Sequence, residues 1–172
     1  SSNNYGISFT QSAPTNIVFR DVAMSSTGQY QTAVSITFSY RTSDFGLNWI
    51  PLVGQIPSRS VAMSADGQIQ IIGAESAGPL RRSDNFGLTF VDLSTPSLSW
   101  NSISISGNGD YMFACSSGAL YRATSADLPT AFTWTQVTGL PQTNLNKIAT
   151  SESGQIVLIV PTQGRVMYSN DF

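Results

Sequence analysis

The sequence contains no histidine and a single cysteine, and only 10% of its 172 residues carry a charged side chain. Without histidine there is no Ser-His nucleophile pair, and both the commonest metal ligand and the commonest general base near neutral pH are absent. No metal site and no cofactor are therefore expected. The lone Cys115 has no partner for an intramolecular disulfide, and it ends the apolar run Tyr111-Met112-Phe113-Ala114-Cys115. That context predicts a small buried apolar residue rather than a reactive thiol. Lysine occurs once, at Lys147, and the formal net charge is -2. No basic patch is dense enough to neutralise a run of phosphates, which excludes nucleic acid as a partner. There is no apolar run of about 18 residues, so no membrane insertion by a helix is expected.

What the chain does have is hydroxyl and amide side chains, β-branched residues and a repeated pattern. The segment Thr42-Ser43-Asp44-Phe45-Gly46-Leu47-Asn48-Trp49 returns as Ser83-Asp84-Asn85-Phe86-Gly87-Leu88-Thr89-Phe90. An earlier copy opens the chain, with Ser2, Asn4, Gly6 and Phe9 at the matching positions, and a short one closes it, with Ser169 and Asp171. The physical logic of the pattern needs no ligand. An Asp or Asn oxygen and a Ser or Thr hydroxyl can accept backbone N–H bonds within the turn, Gly supplies a backbone shape closed to other residues, and the trailing aromatic covers the turn. Thr42, Asp44, Gly46 and Trp49, and likewise Ser83, Asn85, Gly87 and Phe90, are thus expected to be structural. Trp134 follows a degenerate copy over residues 124–134 and is expected to pack as well.

A second periodicity runs through the chain. Alternating apolar strands start at Val22, Val61, Ile103 and Ile148, and each leads to a turn at Thr27-Gly28, Asp66-Gly67, Asn108-Gly109 or Ser153-Gly154. Glycine there can take the positive φ that a tight hairpin needs. Second strands such as Ile69-Gln70-Ile71-Ile72 follow, then third strands over 38–41, 79–82, 119–122 and 165–168 that lead into the Asp/Asn-Gly turn, and a fourth strand after it, as over 88–93 or 132–137. A unit of about 40 residues with four short strands is the size of one propeller blade. No helical periodicity is present, so the fold class is all-β: a β-propeller of four-stranded antiparallel blades, with about four repeats.

The repeated turn resembles the Asp box, or BNR repeat, of sialidase-like, sortilin-like and xyloglucanase-like β-propellers. The resemblance implies a single domain over residues 1–172, or a segment of a larger propeller, in which an N-terminal strand at 6–11 completes the last blade by pairing with residues 164–168. If the ring is not closed in that way, the exposed blade face needs covering by another copy of the chain or by further blades of a longer one. Family ligands meet the face opposite the Asp-box turns, or the central channel. On that face Arg20 and Arg59 fall two residues before their strand starts, with Asn101 and Asn146 at the same place in the other repeats. Guanidinium groups at a channel mouth can bind a carboxylate; each can equally pair with an acid such as Asp21 or cap loop carbonyls.

The functional expectation is a non-catalytic binding or structural module that presents neutral polar loops to a glycan or a protein surface, secreted or displayed on a cell or virion. One alternative is a fragment of a sialidase-like or other Asp-box glycoside hydrolase, and a second is a protein-assembly scaffold. Hydrolysis of a polysaccharide needs two carboxylates across the sugar. The candidates Asp21, Asp92 and Asp110, and the two glutamates Glu75 and Glu152, form no recognisable pair in the sequence, so no catalytic residue is assigned.

Overall fold

The computed structural model describes residues 7–8, 10–12, 14–54, 56–125, 133–140 and 144–170. These form fifteen strands, β1 to β15, and no helix longer than a turn. The strands fall into four antiparallel sheets in simple up-and-down order, and the sheets are the blades of a β-propeller. Blade 1 holds β1 (Phe19–Met24), β2 (Gln31–Ser35), β3 (Tyr40–Thr42) and β4 (Ile50–Pro51). Blade 2 holds β5 (Ser58–Met63), β6 (Gln70–Ala74), β7 (Leu80–Ser83) and β8 (Val91–Asp92). Blade 3 holds β9 (Ser102–Ile105), β10 (Tyr111–Cys115), β11 (Leu120–Thr124) and β12 (Thr135–Val137). Blade 4 has three described strands, β13 (Leu145–Thr150), β14 (Val157–Pro161) and β15 (Met167–Ser169).

Pleat alternation sends successive side chains to opposite faces, so each middle strand feeds two blade interfaces. Val34 of β2 reaches forward to Val61 and Ile72 of blade 2, with Leu52 and Ile56 closing that cluster. Ile71 of β6 reaches Ile103, Met112 and Ala114 of blade 3 around the fully buried Trp100. Cys115 of β10 and Leu120 of β11 meet Leu145, Ile148, Val157 and Ile159 of blade 4. The core is therefore a series of slabs between consecutive blades. Inner strands pack β1 on β5, β5 on β9 and β9 on β13, whereas β13 does not pack on β1 in the same way.

The four hairpin glycines adopt the expected positive φ, +78° at Gly28, +81° at Gly67, +79° at Gly109 and +82° at Gly154. The turn tips are also stitched together. Ser26 N–H donates to Ala65 O, Ala65 N–H to Gly107 O, and Gly107 N–H to Glu152 O, each at 2.8 Å. These residues are equivalent in the four repeats, so one backbone hydrogen bond crosses each blade boundary in the same direction.

The Asp/Asn-Gly turns form as their chemistry demands. Thr42 Oγ1 donates to Asp44 Oδ1 at 2.6 Å, and that oxygen accepts the N–H groups of Leu47 and Asn48. In the second copy Ser83 Oγ donates to Asn85 Oδ1, which accepts Thr89 N–H, while Gly87 N–H donates back to Ser83 Oγ. Gly46 and Gly87 sit at φ +84° and +75°. Each turn is fastened to its own blade's first hairpin by Phe45 N–H to Gln29 O and Phe86 N–H to Gln68 O, which puts both kinds of turn at one end of the blades.

Two details differ from the sequence reading. Third strands begin one or two residues later than expected, and the fourth strands β4 and β8 are only two residues long. The expected N-terminal strand at 6–11 falls partly outside the described residues: Gly6 and Phe9 are not described, Ile7 is 84% exposed, and among the described residues no strand precedes Phe19. Ser2, Asn4 and Asp171 also lie outside the described residues, and so do residues 126–132 of the degenerate copy.

Candidate functional site

The inner strands carry a feature that sequence alone did not disclose. Pairing of β1 with β2 shifts register between Phe19 and Asp21, β5 with β6 between Ser58 and Ser60, and β13 with β14 between Leu145 and Lys147. The extra residues are Arg20, Arg59 and Asn146. A bulge leaves its extra residue out of the ladder and re-aims the side chain, which is why bulges cluster at functional sites. Asn101 holds the equivalent place just before β9, its N–H donating to Cys115 O at 2.8 Å.

The residue after each bulge locks its blade to the next. Asp21 Oδ2 accepts the N–H of Val61, and Ser60 Oγ donates to Trp100 O. Ser102, at the matching place in blade 3, accepts the N–H of Ile148 on its Oγ. Bulge and lock alternate along the chain, so one position faces outward and its neighbour is committed to structure.

The four outward positions fall into two kinds. Arg20 forms an ion pair with Glu75 at 2.9 Å, and Asn101 Nδ2 donates to Leu145 O and Ser117 Oγ at 2.8 and 3.2 Å. Both are thereby tied to the following blade. The side chains of Arg59 and Asn146 are exposed and make no hydrogen bond to another described residue. The pairing of Arg20 is with Glu75, not with the adjacent Asp21 that the sequence offered first. Proximity along the chain misled there because Asp21 is already engaged by the backbone N–H groups of Val22 and Val61.

The acids are similarly employed. Asp92 accepts from Arg81 at 2.6 Å, and Asp110 accepts from Ser125 Oγ and from the Asn108 amide. Arg82 is 4% exposed and bonded to Asp84, a structural role on the third strand. Among the described residues no group of three His, Cys, Asp or Glu side chains is placed to hold a metal ion. Cys115 is fully buried, and burial pushes its thiol pKa up to about 11.

Two concavities were not foreseen, because each depends on how packed elements meet in three dimensions. A cleft of about 710 Å³ lies between the outer part of blade 3 and blade 4, lined by Phe113, Leu120, Arg122, Val137, Met167 and Tyr168 among others. A second, of about 730 Å³, opens on blade 1 at Phe19, Val22, Ala33 and Trp49, beside residues 10–12 and 14–16. Trp49, expected to pack over its turn, is half-buried and donates Nε1–H to Ser12 Oγ at 3.4 Å.

No family model and no curated protein matches the sequence. Solved structures do match the fold. A chain of Kuenenia stuttgartiensis hydrazine synthase superposes with a TM-score of 0.72 at 11% identity, over 92% of this chain and 47% of that one. A chain of a nidogen/laminin complex gives 0.72 at 10% identity, over 94% and 63%. The Dos1 propeller gives 0.64 at 16% identity, over 92% and 47%. The present chain thus spans roughly half the length of these structures, and identities this low establish the propeller fold alone. Enzymes and binding proteins both occur among the matches.

Proposed function

We propose that the chain is a non-catalytic binding module of the Asp-box propeller type, which holds an acidic segment of a protein partner on the face carrying the inner-strand bulges. The observation that supports this reading is the bulge at Arg59: it turns a guanidinium to solvent beside neutral loops, with no acid among the described residues to neutralise it. A free guanidinium in that setting can make a bidentate contact to a partner carboxylate. Arg20, held by Glu75, positions the rim rather than the ligand. The shared fold with a chain of a nidogen/laminin complex supports a protein partner.

Asp21, Glu75, Asp92 and Asp110 are each engaged in a separate blade contact, turn or ion pair, which favours binding over hydrolysis, since a glycosidase needs two carboxylates flanking one sugar. A surface poor in lysine and rich in Ser, Thr, Asn and Gln fits a secreted, cell-surface or virion-surface setting.

The test is selection of displayed random peptides on the immobilised chain, with a glycan array in parallel. The reading expects acidic peptides whose affinity falls about tenfold or more in Arg59→Ala, the loss of one charge-assisted contact. Enrichment of a neutral glycan with no peptide, or peptide binding untouched by Arg59→Ala, would overturn it.

A further inference from the structure

Three separate features let the outer face of blade 4 and the free face of blade 1 be compared with the interfaces between consecutive blades. The first is side-chain burial at equivalent positions. The strand-start residues Val61, Ile103 and Ile148 are 5%, 6% and 7% exposed, each buried against the preceding blade, whereas Val22 is 62% exposed. On the other side, Val34 and Cys115 are fully buried against the following blade, whereas their counterpart Val160 is 42% exposed, with Leu158 beside it at 44%. Inside the chain Val34 packs on Val61. The same contact made once more places Val160 on Val22.

The second register is the backbone ladder across the turn tips. Every step runs from an N–H in one blade to a carbonyl in the next, and the series stops with Glu152 N–H at one end and Ser26 O at the other. The third is the packing of hairpin glycines. Gly67 lies against Tyr30, Gly109 against Ile69 and Gly154 against Tyr111, each so closely that a Cβ would collide with the neighbour. The next member of the series is Ile156, 50% exposed, and the glycine left over is Gly28, which has only Met24 of its own strand near it.

We infer that two copies of this chain pair head to tail, blade 4 of each on blade 1 of the other, to form an eight-bladed ring. Val22 then meets Leu158 and Val160, Gly28 meets Ile156, and Glu152 N–H donates to Ser26 O of the other copy. In such a ring the two contacts are identical by twofold symmetry and neither face is left free.

Sedimentation velocity of the 172-residue chain at micromolar concentration tests this, with circular dichroism as the check on folding. A single species of twice 18.4 kDa is expected. Val22→Glu should weaken it about a hundredfold or more, with an unchanged β spectrum because Val22 is exposed within one copy. Val160→Lys should do the same, and the double variant, which sets a carboxylate against an ammonium at each contact, should restore dimers. If Val22→Glu alters the fold, Leu158→Lys on the opposite face provides the same reading. A species of 18.4 kDa for the unaltered chain, an open-ended series of larger species, or a dimer indifferent to both substitutions would overturn the inference. Peptide binding through Arg59 is read separately, in a different assay, and does not depend on this outcome.

Discussion

Asp44 shows how one side chain organises a turn. Its carboxylate accepts from the Thr42 hydroxyl, from the backbone and side chain of Asn48 and from Leu47 N–H, which together lower its pKa from 3.8 to about 2 despite some opposing desolvation. A carboxylate whose folded pKa is depressed contributes stability that is complete above its unfolded pKa and is lost as pH falls through the folded value. Stability should therefore decline between about pH 4 and pH 2, and a carbon-detected NMR titration should place the Asp44 midpoint near the lower figure. A midpoint near 4 would mean the turn is not formed in solution. Thr42 is buried, and Thr42→Val removes the hydroxyl that both donates to Asp44 and accepts from Gly46 N–H. Chemical denaturation should show a loss of about 1–3 kcal/mol, the usual cost of stranding buried polar groups. Trp100 carries more: it is fully buried between blades 2 and 3 and donates Nε1–H to Gly78 O at 2.9 Å. Trp100→Ala should cost about 3–5 kcal/mol in the same measurement.

At the scale of single strands and turns, the sequence was informative wherever a local rule dictates geometry. The four hairpin glycines were legible because a two-residue turn demands positive φ, and the Asp/Asn-Gly turns because their donors and acceptors lie within a few residues of one another. The fourth strands were overestimated, since β-branched residues such as those over 88–93 signal propensity but not how much of the edge finds a partner. The bulges were not legible. Arg20, Arg59 and Asn146 were singled out by their offset from the strand starts, but the register shift that turns them out of the ladder depends on partner residues 14 and 15 positions further along the chain. Arg59→Ala should leave thermal stability within about 0.5 kcal/mol of the parent, as for a surface residue without a partner, while lowering the affinity for an acidic peptide. Loss of folding in that variant would show that Arg59 is a structural residue. Gly73 is different, because a Cβ there would overlap the Cβ of the fully buried Trp100. Gly73→Ala should cost about 1–3 kcal/mol through overpacking, visible as a lower denaturation midpoint.

For the molecule as a whole, the repeat period announced four blades, and four sheets in that order are what forms. What periodicity cannot state is the angle between blades, and hence whether four of them close. That angle is set by side-chain volumes in the slabs around Val34, Trp100 and Ile148, which no local pattern encodes. The exposed apolar positions at both ends become intelligible only after the repeats are superposed and the same residue is found buried three times and exposed once.

The stacking of blades around a common axis is the claim on which the fold, the bulge face and the pairing all rest. Residue-resolved amide hydrogen exchange probes it through the turn-tip ladder: the N–H groups of Ser26, Ala65 and Gly107 should be strongly protected although they sit in surface turns, because each donates across a blade boundary. Exchange at those three amides as fast as in the loop at Ser117–Gly118 would show that neighbouring blades do not meet as described.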